Sequence, residues 1–216
     1  MENYIKPISH SGLSLFKQCR KRWHNSYILG NFEPPGDAAK RGTEIHKKIE
    51  DYFNTGIYPD IEVLYKWKPY MEQLYAKSPK PEQKIAVNDK WESVDFHSED
   101  AFFRGIADLI IEEYNEIRII DWKTGKKYPE HRKQGVSYIA LCSEKPIMYA
   151  ECVYIDTNFN THKTEYTKDQ RDDHISQIIS DINIIRSCEI FEASSGSHCY
   201  WCSLSWRKGG DCLNAK

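Results

Sequence analysis

The stretch "FRGIADLIIEEYNEIRIIDWKTGK", Phe103 to Lys126, constrains the fold more than any other part of the chain. Two apolar runs flank a polar turn, the grammar of a β-hairpin. Buried strands favour apolar residues, yet Asp108 interrupts the first run and Asp121-Trp122-Lys123 closes the second. Centring the turn on Tyr114-Asn115 sets Asp108 opposite Asp121, because each is equally far from that centre. Opposed residues of antiparallel strands share a face, with Cβ atoms ~5 Å apart, and Lys123 points to the same face. A slip of one residue would undo this geometry. Two such carboxylates repel, and one takes up a proton unless a cation compensates. Hard oxygen ligands at this density suit Mg²⁺ or Mn²⁺. The plain alternative is a solvent-facing Asp–Lys pair at a strand end.

Around the hairpin, hydrophobic periodicity predicts mixed elements. A helix capped by Ser11 carries Leu15, Phe16, Cys19 and Trp23, and a second spans Ala38 to Phe53 with Ile45, Ile49, Tyr52 and Phe53 as its stripe. A third covers residues 60–78. A strand follows in "EQKIAVND", then the hairpin, a helix in "EHRKQGVSYIALCSE", a strand in "MYAECVYIDT" and an amphipathic helix in "DQRDDHISQIISDINIIRS". The expected fold class is α/β, a mixed central sheet flanked by helices. His46 lies on the inward stripe of the second helix, where a histidine is either a ligand or a hydrogen-bonded core residue. Gln134 and Tyr138, four apart, share a helical face. Glu82 could reach the hairpin acids if its strand is their neighbour.

The length of 216 residues suits one large domain, 1–216. No apolar run approaches a membrane span and the start lacks a signal core, so the chain is expected to be intracellular, cytoplasmic or in a host cytoplasm if viral. A net charge of −2 does not advertise a polyanion partner, but its distribution is uneven. Basic residues gather at Lys17, Arg20, Lys21 and Arg22, at Lys40, Arg41, Lys47 and Lys48, and at Lys123, Lys126, Lys127, Arg132 and Lys133. Such islands can attract nucleic acid locally, or simply be solvated helix faces.

Four segments in order resemble the RecB-type branch of the PD-(D/E)XK nucleases: "RGTEIHKKIE", "FRGIADLI", "IIDWKTGK" and "QGVSYIAL". The resemblance implies a restriction-endonuclease-like core. It implies that His46, Asp108 and Asp121, with the Trp122 backbone carbonyl, bind Mg²⁺ or Mn²⁺, and that Lys123 orients water or stabilises phosphate charge. Gln134 and Tyr138 would help hold DNA. The implied activity is metal-dependent deoxyribonuclease, in the first place exonuclease on single-stranded DNA. The other readings are a structure-specific endonuclease and a non-catalytic DNA-binding or adaptor module.

Seven cysteines in an intracellular chain argue for metal or packing rather than disulfides. Cys142, Cys152 and Cys188 fall in apolar segments and are expected in the core. Cys199, Cys202 and Cys212 offer three thiolates, and Cys19, among basic residues, could supply a fourth. One early and three late cysteines resemble the iron–sulfur nucleases of the RecB type, including the CRISPR-associated adaptation exonucleases, the AddB nuclease domain and phage relatives. That resemblance implies a [4Fe–4S] cluster clasping residues 1–30 to 189–216, with zinc as the alternative. Trp201 and Trp206 are expected to pack around the clasp, or else to stack bases.

Overall fold

A computed structural model describes residues 7–142, 144–157 and 160–214; the remaining positions, including the outer ends of the expected 1–216 domain, lie outside the described residues. The fold is an α/β protein with a six-stranded mixed sheet flanked by helices. Helices α1 (His10–Gln18), α2 (Arg20–Trp23), α3 (Asp37–Thr55), α4 (Glu62–Tyr65) and α5 (Lys68–Tyr75) come first. Strands β1 (Lys80–Val87), β2 (Ser93–Val94), β3 (Phe103–Glu112) and β4 (Glu116–Lys123) follow, then α6 (Glu130–Cys142), β5 (Ile147–Tyr154), β6 (Asn160–Tyr166) and α7 (Lys168–Arg186). The sheet order is β2-β1-β3-β4-β5-β6. Only β4 and β5 run parallel, because α6 carries the chain back between them.

Each sheet face has its own core. On one, Leu13 and Phe16 of α1, Ile139 of α6 and Ile178, Ile182 and Ile185 of α7 meet Ile110, Ile117, Ile119 and Met148. On the other, Ile45, Ile49 and Phe53 of α3 and Trp67 and Met71 near α5 meet Leu109, Ile111, Ile120 and Trp122. The hairpin register is the one the turn predicts: Leu109 pairs with Ile120 and Ile110 with Ile119, so the next step sets Asp108 against Asp121.

Several expectations need correction. The first helix begins two residues earlier, where Ser9, not Ser11, accepts the Gly12 N–H. It also breaks at Cys19, whose extended backbone (φ −161, ψ 109) ends α1 and starts α2 before a π-helical turn, His24–Ile28. The helix expected over 60–78 is two short ones, with Pro69 in the first turn of α5. Strand β6 escaped notice because an edge strand with no buried residue, "NTHKTEY", carries no apolar alternation. Of the three cysteines expected in the core, Cys152 is buried, whereas Cys142 and Cys188 are half-buried.

A polar hub joins α1, α6 and α7. The buried Ser137 hydroxyl donates to the Lys133 carbonyl at 3.0 Å and lies 2.9 Å from His10 Nδ1 and 3.0 Å from His174 Nε2. With the single hydroxyl proton spent on the carbonyl, both imidazoles must donate to Ser137. Burial first, then the neighbouring charges of His174 and Lys123, lowers His10 to about 4. The unfolded chain therefore binds this proton more tightly than the folded one. Its contribution to stability is complete above about pH 6.5 and is lost as pH falls towards 4, by about 1–3 kcal/mol. Urea melts between pH 7 and pH 4.5 should register the loss, and His10→Gln should flatten that part of the profile.

Candidate active site

The site grows from an irregularity in the sheet. The β1–β3 ladder pairs Pro81 with Leu109 and Gln83 with Ala107, and is interrupted at the Glu82–Asp108 step between them. There Glu82 adopts φ +46, left-handed backbone that costs a non-glycine residue about 1 kcal/mol or more. On β3, Phe103, Ala107 and Ile110 all face the α1/α6/α7 core, while Leu109 and Ile111 face the other. The inside–outside alternation thus slips by one residue around Asp108. Asp108 sits at that slip, and its carboxylate lies on the α3 side of the sheet, 3.5 Å from His46 Nδ1.

Into that gap α3 delivers His46, one residue beyond Ile45 of its buried stripe. One ligand atom each from His46, Glu82 and Asp108 lies within 4.8 Å of the others, and His46 Nδ1 is 3.5 Å from Asp108 Oδ2. No other such trio of His, Cys, Asp or Glu occurs among the described residues. Asp108 Oδ2 also accepts the Trp122 peptide N–H at 2.8 Å, so the carboxylate takes the place of a β3 carbonyl where the strands part. The Trp122 ring is buried against Phe53 and Tyr70 and fixes this end of β4.

Asp121, buried one strand over, faces Lys123: its Oδ2 is 2.6 Å from Nζ yet has no hydrogen bond of good geometry. Lys123 Nζ donates to Gln134 Oε1 at 2.7 Å, and Gln134 Nε2 donates to the Tyr138 hydroxyl at 2.7 Å. Tyr138 is 6% exposed, and burial raises its phenol far above its ordinary value. Gly105 makes room for it, since a Cβ there would lie 2.9 Å from Tyr138 Cε1. The sequence singled out Gln134 and Tyr138 for DNA contact; in the fold they lead first to Lys123.

The electrostatics share one direction. Burial holds the Asp121 carboxyl well above the usual carboxylate range, against the pull of Lys123 and with the repulsion of Asp108. Burial and then Asp108 and Glu50 raise Glu82. At His46 burial acts against the charged ring, but Asp108 and Asp121 outweigh it and raise the imidazole. Burial raises the two carboxyls and neighbouring acids raise the imidazole, because negative charge is crowded in poor solvent. An imidazole, several carboxylate oxygens and an orphaned buried oxygen are a donor set suited to a hard divalent cation. Glu82 is the member that periodicity underrated; its signal was a carboxylate at the head of an apolar strand next to the hairpin.

Four of the cysteines share a crevice elsewhere, although no three of their sulfurs lie within 4.8 Å of one another. Cys19, Cys199, Cys202 and Cys212 line one narrow crevice with Leu204 and Ser205. Lys21–Asp211 (2.9 Å), Arg22–Glu33 (2.7 Å) and the Ser203 N–H on Glu33 (2.9 Å) fasten the tail to the first helices. Trp201 and Trp206 depart from the expected packing: they are 70% and 52% exposed, because the tail is only one layer thick here. Trp23 is fully buried and stacks on Tyr27.

A twisted mixed sheet with a divided hairpin and a His–Glu–Asp donor set beside Asp-x-Lys has the architecture of a restriction-endonuclease-like core. A model of the PD-(D/E)XK nuclease superfamily matches residues 7–207, and the chain belongs to that superfamily. Among solved structures, a "putative exonuclease" from Eubacterium rectale is similar over 95% of this chain and 91% of its own, at 12% identity and a TM-score of 0.56. The structure of SSO0001 is similar over 83% and 76%, at 14% identity and 0.50. At these identities the likeness is one of fold. No curated protein matches the chain. Among the described residues no helix is long and apolar enough to cross a membrane.

Proposed function

We propose that this chain is a metal-dependent deoxyribonuclease that hydrolyses phosphodiester bonds, acting as an exonuclease on single-stranded DNA. The observation that carries the reading is the convergence of His46, Glu82 and Asp108 next to the Asp121–Lys123 pair. His46, Asp108 and Asp121, with Glu82 and the Trp122 carbonyl, would hold Mg²⁺ or Mn²⁺. When bound, the cation supplies positive charge at the phosphate and acidifies a water. Lys123, engaged with Asp121 and Gln134, keeps a third N–H for a phosphate oxygen or the attacking water. Gln134 and Tyr138 fix the ammonium's direction, so its charge is in place before the transition state forms. Exonuclease mode and single-strand preference rest on the RecB-type resemblance.

The same reading includes a [4Fe–4S] cluster on Cys19, Cys199, Cys202 and Cys212, closing residues 1–30 onto 189–216 within one domain. Four thiols lining one crevice support it. A tetrahedral zinc with Zn–S ~2.3 Å would hold its sulfurs about 3.8 Å apart, and no three of these sulfurs lie within 4.8 Å of one another. The choice of cluster over zinc rests on the RecB-type resemblance.

The test is cleavage of end-labelled DNA with Mn²⁺ by wild type, Asp121→Ala and Lys123→Ala. Wild type alone should degrade the substrate; equal cleavage by all three would sink the assignment. A closed circular single strand should survive, and its cutting would make the enzyme an endonuclease. Ca²⁺ at a hundred times its Kd should stabilise wild type by about 2.7 kcal/mol, some 5–10 °C in Tm for a chain of this size. Asp108→Ala should abolish that shift in differential scanning fluorimetry.

A further inference from the structure

The first two basic islands of the sequence are largely neutralised in the fold. Lys17 pairs with Asp181, Lys21 with Asp211, Arg22 with Glu33, Arg41 with Asp156, and Lys47 with Glu50 and Asp51. Unneutralised charge of a distinctive kind stands on β1 and β3. Among the described arginines that are buried or half-buried, Arg22, Arg118 and Arg171 each have a carboxylate partner, and Arg104 has none. Its guanidinium lies 4.7 Å from the Phe96 ring centre, and Nη1 donates to the Phe96 carbonyl at 3.1 Å. Lys84, exposed and also without a carboxylate partner among the described residues, sets its ammonium 5.9 Å from the same ring. The ring and carbonyl of Phe96 therefore hold two cations together at the surface, while most of the five guanidinium N–H groups stay available.

These cations are continuous with the candidate active site. The cleft bounded by His46, Glu82 and Asp108 extends to Ile106, an exposed apolar residue on β3. Lys84 is paired across the ladder with Ile106, and Arg104 lies two residues further along β3. Successive same-face positions on a strand are ~6.6–6.8 Å apart. Leaving the carboxylates, the surface thus reads Ile106 with Lys84, then Arg104.

We propose that this β1–β3 surface is the track for the nucleic-acid strand on one side of the scissile phosphate. Lys84 and Arg104 bind successive backbone phosphates, Phe96 is the positioning residue that holds both, and Ile106 takes the apolar edge of a sugar or base. The proposal rests on the nuclease reading and extends it to a named path. Charge complementarity selects the occupant: a polyanion must cross a cleft crowded with carboxylates, and these cations are what offsets that repulsion beside it.

The experiment is anisotropy of a fluorescein-labelled oligothymidylate, in Ca²⁺ and over a series of NaCl concentrations. The proteins are wild type, Lys84→Gln/Arg104→Gln, the charge-keeping Arg104→Lys, and a remote control of equal charge change, Lys163→Gln/Lys168→Gln. Each lost single-strand phosphate contact reduces the slope of log K against log salt by about 0.7. The double variant should therefore lose about 1.4 from the slope, whereas Arg104→Lys and the control keep the wild-type value. Matching thermal melts separate this from misfolding, which would not change the slope selectively. If wild type binds and cleaves DNA and the double variant matches its slope, the track is overturned and the nuclease reading stands. If wild type neither binds nor cleaves, both fall. Polyglutamate binding as strong as the oligonucleotide's would overturn nucleic acid as the occupant.

Discussion

Asp121→Asn is expected to abolish cleavage of single-stranded DNA while leaving the protein as stable as wild type, or more so. Asp121 is placed as a ligand of the cation, and losing positive charge aimed at the transition state costs about 10²–10³ in rate. Here the loss should reach about 10³ or more, because the substitution also releases the Lys123 ammonium from its 2.6 Å partner. The stability side follows from burial. The Asp121 carboxyl is raised by desolvation and by Asp108, so its ionised form is disfavoured in the fold. A neutral amide of the same shape removes that conflict, as is common where a site holds strained charge. Steady-state cleavage and a thermal melt of the same preparation test both halves. A variant that lost stability and activity in parallel would point to a structural Asp121.

The second large effect is expected at the crevice of cysteines. If the proposed cluster is present, anaerobically purified wild type should be brown, and Cys19→Ser or Cys202→Ser should lose both metal and colour and lower Tm by about 10–20 °C. The magnitude follows from chain entropy. A clasp from Cys19 to the tail closes a loop of roughly 180 residues, and tying such a loop restricts the unfolded chain by about 5 kcal/mol. For a chain of this length each kcal/mol moves Tm by about 2–4 °C. The exposed tail has little core of its own, since Tyr200, Trp201 and Trp206 all face solvent, so packing cannot replace the clasp. Metal analysis of protein purified without oxygen gives the identity: iron and labile sulfide for a cluster, one zinc for the alternative. Cys188→Ser, outside the crevice, should change neither metal content nor colour.

Much of the site was legible because it sits on strongly patterned elements. The symmetry of the apolar runs about Tyr114-Asn115 gave the register that sets Asp108 against Asp121, and the stripe of α3 gave the direction of His46. What could not be read was anything that departs from periodicity. The left-handed Glu82 and the slipped alternation of β3 are local breaks whose cause is tertiary, and they decide which way Asp108 points. The interruption of the first helix at Cys19 was hidden for the same reason: the apolar spacing runs on through Trp23 although the backbone does not. Edge strand β6 and the exposed tryptophans of the tail show the complementary limit. Composition tells which side chains could pack, whereas the thickness of the layer above them decides whether they do.

The central claim is that one divalent cation is held between the imidazole of His46 and the carboxylates of Asp108 and Asp121. Anomalous diffraction from crystals soaked in Mn²⁺ tests it most directly. The account predicts a manganese peak within coordinating distance of all three side chains, with Glu82 alongside and Lys123 turned towards the open face. A saturating soak that left this position empty, or put manganese only at other surface carboxylates, would contradict it.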